Sequence, residues 1–242
     1  MAKEEKAVDA AGARPKVAEK AMAAVRPKAA VVERAPRVRS KIREYVDAIV
    51  VAVAIALFFR QFVIQAFRIP SSSMESTLLV GDFLFVNKFL YGAQIPFTGW
   101  RLPAIRSPRR GDIIVFKAPT DGRDFIKRCV AVAGDTVEVR GKVLFVNGEP
   151  RVEPYAQHTD PHVIPPAQSP RDFMAPLVVP PGRIYMMGDN RDNSHDSRFW
   201  GPLDVGRVKG KAMFIYFSAD YHSWKHPLDT RIRWKRFGDI IR

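Results

Sequence analysis

Three consecutive serines, Ser71, Ser72 and Ser73, follow Ile69-Pro70 and precede Met74. A serine hydroxyl becomes a good nucleophile only beside a base that takes its proton. Further along, Lys127 stands in Asp124-Phe125-Ile126-Lys127-Arg128 and is followed by Cys129, Val130, Ala131 and Val132. Burial among such neighbours disfavours the ammonium, and a neutral amine is a base. Strand alternation sets Phe125, Lys127 and Cys129 on one face and turns Arg128 the other way, toward a structural ion pair. A third polar segment, Met187-Gly188-Asp189-Asn190-Arg191-Asp192-Asn193-Ser194, completes the set. Taken singly, each piece has a plain structural reading. Serine-rich turns commonly follow proline, and lysines usually occupy solvated edges. Ser194-His195-Asp196 spells a triad, but a triad is defined by converging roles, which adjacent residues do not easily achieve. His195 reads as a loop residue.

Together, and in this order, the three segments resemble the boxes of the type I signal peptidases, bacterial leader peptidases that use a Ser-Lys dyad. The resemblance runs from about Phe58 to Phe217. It implies a membrane-anchored serine endopeptidase that removes signal peptides from exported preproteins after Ala-x-Ala-like sites, through an acyl-enzyme. It assigns Ser73, just before Met74, as nucleophile and Lys127 as base. Ser71, with the Ser73 backbone N–H, is implied as the oxyanion hole, and Ser194 as the residue that orients the lysine. Asp196 and Arg198 match a pair that holds the loop near the site, and Gly188, Asp189, Asn190 and Arg191 shape its turn. Phe67, Ile69, Pro70, Met74, Leu78 and Ile126 lie near the dyad in sequence. They are candidates for shallow substrate pockets and equally for the core. Two positions depart from the family pattern: Ser72 where glycine is usual and Ser76 where proline is usual.

The elements that must position these residues are legible in part. The first 44 residues are basic, rich in alanine and proline, and read as a disordered cytoplasmic tail, with a short helical stretch at 17–25 as an option. Residues 45–66 form an apolar run of the length a bilayer-spanning helix needs, about 20 residues. Asp47 sits at its entry edge and Arg60 can snorkel to the far head groups. Arg37, Arg39, Lys41 and Arg43 flank its start, so the positive-inside rule puts the N-terminus in the cytoplasm and residues 67–242 outside; the family resemblance implies that the membrane is a bacterial inner membrane. The net charge of +14 then favours anionic lipid over nucleic acid as a partner. The single cysteine, Cys129, excludes an internal disulfide and reads as a small buried strand residue.

From residue 67 onward the pattern is that of an all-β barrel or sandwich. Short apolar or alternating runs occupy 83–86, 113–116, 125–132, 136–140, 143–146, 184–187 and 212–217, and Asn147-Gly148 signals a two-residue hairpin. Residues 149–182 are Pro-rich and read as an extended insertion. The segment 221–237 mixes aromatic and basic residues, suiting either a lipid interface or an ordinary surface element. His158, His162, His222 and His226 fall in loops or tail, and no residue cluster has metal-ligand spacing, so no metal or cofactor is expected. A non-enzymatic, membrane-tethered β-domain that binds lipid or nucleic acid would explain the charge but not the three ordered segments. A self-cleaving Ser-Lys repressor would not explain the apolar run.

Overall fold

A computed structural model describes residues 41–95, 98, 100–220 and 231–242. The expected tail, its 17–25 helical stretch, Arg37 and Arg39, and the segment Tyr221–Thr230 with His222 and His226 lie outside the described residues. Backbone proximity separates Met1–Asp47 from Ala48–Arg242.

The apolar run forms helix α1, Lys41–Phe58, continued by a π-helical turn over Phe59–Val63. Together they span 23 residues with mean hydropathy 2.1, and none of that surface is buried. Length and apolarity match a membrane span. The helix ends earlier than residue 66, because Ile64–Arg68 form strand β1 and pair with the next strand. Hydrophobicity alone does not separate a helix's last turn from a strand's first residues, and pairing along β2 decides the matter.

The remaining strands are β2 (Asp82–Asn87), β3 (Ile113–Lys117), β4 (Asp124–Val132), β5 (Thr136–Arg140), β6 (Val143–Val146), β7 (Glu149–Pro150), β8 (Met174–Val178), β9 (Arg183–Met187), β10 (Leu203–Asp204), β11 (Val208–Asp220) and β12 (Arg231–Ile232). The larger, curled antiparallel sheet runs β1-β2-β11-β3-β4-β9-β10, with β12 on the end of β11. A smaller sheet runs β7-β6-β5-β8, so the Pro-rich insertion contributes strands at both its ends. Asn147 and Gly148 turn the β6–β7 hairpin with φ of +57° and +81°, the left-handed pair that a type I′ turn requires.

Two buried clusters fix the site's surroundings. Ile69, Met74 and Leu78 pack with Leu84, Val115, Ile126 and Ile215, which pins the chain after β1 against the large sheet. Val137, Val139, Leu144 and Val146 of the small sheet pack on Val130, Tyr185 and Met187. Strand β4 therefore lies between two cores and is buried along most of its length. Cys129 is wholly enclosed, and burial pushes its thiol up to about 12, which makes it a poor nucleophile.

Candidate active site

Lys127 stands on β4 opposite Ile114 of β3. On the other side the β4–β9 pairing ends at Arg128 and Met187, one residue short of it. Beyond Met187 the chain leaves the sheet as the 188–194 loop. The opening beside Lys127 is filled by a 3₁₀ turn, Ser72–Met74, that follows β1. Met74 plugs this turn into the core, and Ser73 faces the lysine.

Lys127 Nζ lies 2.5 Å from Ser73 Oγ. Both residues are buried, at 4% and 8% exposure. Burial lowers the Lys127 amine to about 8, and the Arg198 charge acts the same way, while Asp196 and Asp189 pull it partly back. Neither carboxylate pairs with the lysine. Arg128 grips Asp189 with two hydrogen bonds of 2.8 and 2.7 Å, and Arg198 grips Asp196 with two of 2.9 and 2.8 Å. Burial raises the Asp196 carboxyl, but Arg198 and the Gly188 amide outweigh it and leave the group below its ordinary value. The lysine thus sits near two ion pairs, each already neutralised, with no carboxylate at ion-pair distance among the described residues.

The serine turn is held from outside by the 188–194 loop. Asn190 donates its backbone N–H to the Ser73 carbonyl (3.2 Å) and its side-chain amide to the Ser72 carbonyl (3.2 Å). Thr77 donates to Asp189 (2.6 Å), and Asn193 donates to the Ser72 hydroxyl (2.7 Å). A Cβ on Gly188 would come within 2.5 Å of the Ser73 carbonyl oxygen and 2.2 Å of Ser194 Oγ. Glycine is therefore required where the loop passes the serine.

A second layer comes from the insertion. Ser76 donates to the Tyr155 carbonyl (2.9 Å), and the Tyr155 ring lies 3.8 Å from the Arg128 guanidinium. Gln157 bonds the backbone of both Asp189 and Arg191, and Arg191 pairs with Glu153 at 2.6 Å. The two departures from the family pattern, Ser72 and Ser76, thus both carry hydroxyls engaged in this scaffold.

The cleft above the pair has a volume of about 690 Å³ and is lined by Pro70, Ser71, Ser73, Phe125, Ile126, Lys127, Ser194 and His195 among others. Ser71 is exposed in it, its hydroxyl 3.5 Å from that of Ser73. Of the apolar pocket candidates, Pro70 and Ile126 line this cleft. Ile69, Met74 and Leu78 are core residues, with Phe67 packed beside them. Ser194 Oγ is buried without a hydrogen bond of normal geometry and only adds to the pull that lowers Asp196. It is not bonded to Lys127. His195 is exposed, stacks on Phe199 at 5.1 Å, and makes no side-chain bond to Ser73 or Asp196. The described residues contain no group of His, Cys, Asp or Glu that could hold a metal. The buttressing roles of Tyr155, Gln157 and Glu153 carry no sequence signal, since they act through backbone groups or distant partners.

Comparison with known proteins identifies the family. Residues 42–217 match the family described as signal peptidase, peptidase S26. A signal peptidase I of Pseudomonas aeruginosa is 36% identical over 210 residues, covering 76% of this chain and 74% of that protein. Its Pseudomonas fluorescens counterpart is 35% identical over the same shares. A signal peptidase I of Aquifex aeolicus is 35% identical over 231 residues, covering 73% of this chain and 84% of its own.

Proposed function

This chain belongs to the peptidase S26 family of signal peptidases, and we propose that it cleaves exported preproteins with Ser73 as nucleophile and Lys127 as general base. The observation that carries the assignment is the 2.5 Å contact between a buried amine and a buried hydroxyl. With the amine at about 8, roughly one lysine in ten is neutral at pH 7, against about one in three thousand at an ordinary lysine value. Neutral Lys127 takes the Ser73 proton as Oγ attacks the scissile carbonyl. The resulting ammonium then protonates the leaving amine, and water, deprotonated by the same lysine, hydrolyses the acyl-enzyme.

The oxyanion is held by the Ser73 backbone N–H and the Ser71 hydroxyl, which shares the cleft with the nucleophile. Ser194 is assigned to orient the lysine, because it lines the same cleft and its buried hydroxyl has no hydrogen bond of normal geometry, which leaves it free to accept one from Lys127. Arg128 and Asp189, with Asp196 and Arg198, hold the loop. Small side chains after which cleavage occurs would lie against Pro70 and Ile126. Helix α1 anchors the enzyme, and the basic residues before it place the N-terminus in the cytoplasm and the sheet outside the bacterial inner membrane.

The test is purified full chain with a preprotein substrate. Ser73→Ala and Lys127→Met should each abolish cleavage and acyl-enzyme formation, while His195→Ala keeps most activity. Retained cleavage in either dyad variant refutes the assignment. Protease added outside spheroplasts should digest residues 67–242 and spare the tail; the opposite pattern refutes the topology.

A further inference from the structure

A second cleft, of about 360 Å³, shares no lining residue with the proposed catalytic one. It is lined by Gln61, Gln65, Lys88, Gln94, Ile95, Arg101, Lys117, Val208 and Lys209. Its place in the fold is informative. Gln61 belongs to the π-helical turn that ends the apolar span, and its side chain bonds the Gln94 carbonyl at 3.3 Å. The Lys88 backbone N–H bonds the Val63 carbonyl at the end of that same turn. The cleft is therefore built at the end of the segment that reads as crossing the membrane.

Its charge is one-sided. Four cations line it, and Asp124, paired with Lys209 at 2.7 Å, is the carboxylate that reaches ion-pair distance of any of them among the described residues. Arg101 spends its donors on the carbonyls of Gly92, Gly206 and Val208, which fix it in place, and the Asp204 carboxylate acts on its charge from beyond ion-pair distance. Lys88 is half-buried, and its amine is lowered first by burial and then by the Lys209 charge. Like charges held together beside amide side chains form a receptor for an anion with several acceptor oxygens.

We infer that this cleft binds the phosphodiester headgroup of an acidic phospholipid in the leaflet at the C-terminal end of α1. The occupant follows from position and charge together: the cleft adjoins the end of the span, where headgroup phosphates lie. The inference rests on the reading of α1 as a membrane anchor. Lys88, Lys117 and Lys209 would meet the phosphate, with Gln61, Gln65 and Gln94 available to the glycerol hydroxyls. Such a contact would fix the rotation of the sheet about the span's end, which a single helix leaves free.

The experiment uses the full chain in phosphatidylcholine vesicles carrying a trace of pyrene-labelled phosphatidylglycerol or, in parallel, pyrene-labelled phosphatidylcholine. Energy transfer from tryptophan to pyrene reports the preference for one label over the other. The wild type should prefer the acidic lipid. Lys88→Gln and Lys117→Gln should each weaken that preference by about fivefold, and the double variant should bring it close to parity. Arg151→Gln, an exposed charge on the insertion, should leave it unchanged. Cleavage of a soluble peptide by all variants reports that they are folded. Three results overturn the inference: no lipid preference in the wild type, an equal loss in Arg151→Gln, or displacement of the labelled lipid by soluble glycerol phosphate. Protein that fails to float with the vesicles overturns the anchor reading and the inference with it. Protein that floats but shows no preference overturns the inference alone.

Discussion

Replacing Lys127 by methionine should abolish activity and, at neutral or acid pH, make the protein more stable. Methionine keeps an unbranched chain of similar length and removes the charge. The Lys127 amine is lowered from 10.5 to about 8 by burial, which corresponds to roughly 3 kcal/mol. A base whose folded value lies below its unfolded one destabilises the fold in its charged form. That penalty is complete below about pH 8, declines as pH rises from 8 to 10.5, and is absent above. Methionine carries no such term. The lost hydrogen bond to Ser73 offsets about 1 kcal/mol at every pH. The variant should therefore be about 2 kcal/mol more stable than wild type at pH 6 and slightly less stable near pH 10.5. Urea denaturation of both detergent-solubilised proteins across this range measures the difference. The constant hydrogen-bond term drops out of its pH dependence, so the change of about 3 kcal/mol is the number to check. Parallel stability curves would refute the reasoning, because they would mean that folding does not bury a charged lysine.

The same lowered amine requires kcat/KM to rise about tenfold from pH 7 to pH 9; a profile governed by a group near 6.5 would transfer the base role to a histidine. Ser71→Ala should cost a factor of about 10²–10³ in kcat with little change in KM, and Ser71→Thr should recover much of it, as single-turnover rates would record. Gly188→Ala pushes a methyl onto the Ser73 carbonyl and Ser194, and the displaced nucleophile should lose about 10²-fold in kcat/KM while circular dichroism stays native. Asp189→Ala leaves the buried Arg128 guanidinium unpaired and should destabilise by about 3–5 kcal/mol in chemical denaturation.

What was legible in the sequence depended on how local the determinants are. Phe125 to Val132 reads as a strand from its own composition, whereas a lysine inside it reads by itself as a solvated edge charge, and only the family resemblance of the segment points to a buried Lys127. The helix-to-strand change at Ile64 is not visible, because it is decided by pairing with Phe83–Asn87, some twenty residues on. Met74 adjoins the proposed nucleophile in sequence yet points into the core, since one 3₁₀ turn sends neighbouring side chains to opposite sides. The bonds from Tyr155, Gln157 and Glu153 to the serine turn and its loop join segments with no shared pattern, and most of them use backbone groups whose partners composition does not encode.

The proposed catalytic contact closes a loop of 54 residues between Ser73 and Lys127, and the Arg128–Asp189 pair beside it closes one of 61. Chain closure over such separations comes late in folding, after local turns and hairpins have formed. In a partly folded chain the serine turn lacks its Asn190 and Asn193 partners, and Lys127 remains in water with an ordinary amine. Such a chain holds every reactive group and yet no hydrolytic power. With the proposed dyad, proteolytic competence therefore arises only with completion of the tertiary structure, and a partly folded molecule is inert toward its neighbours.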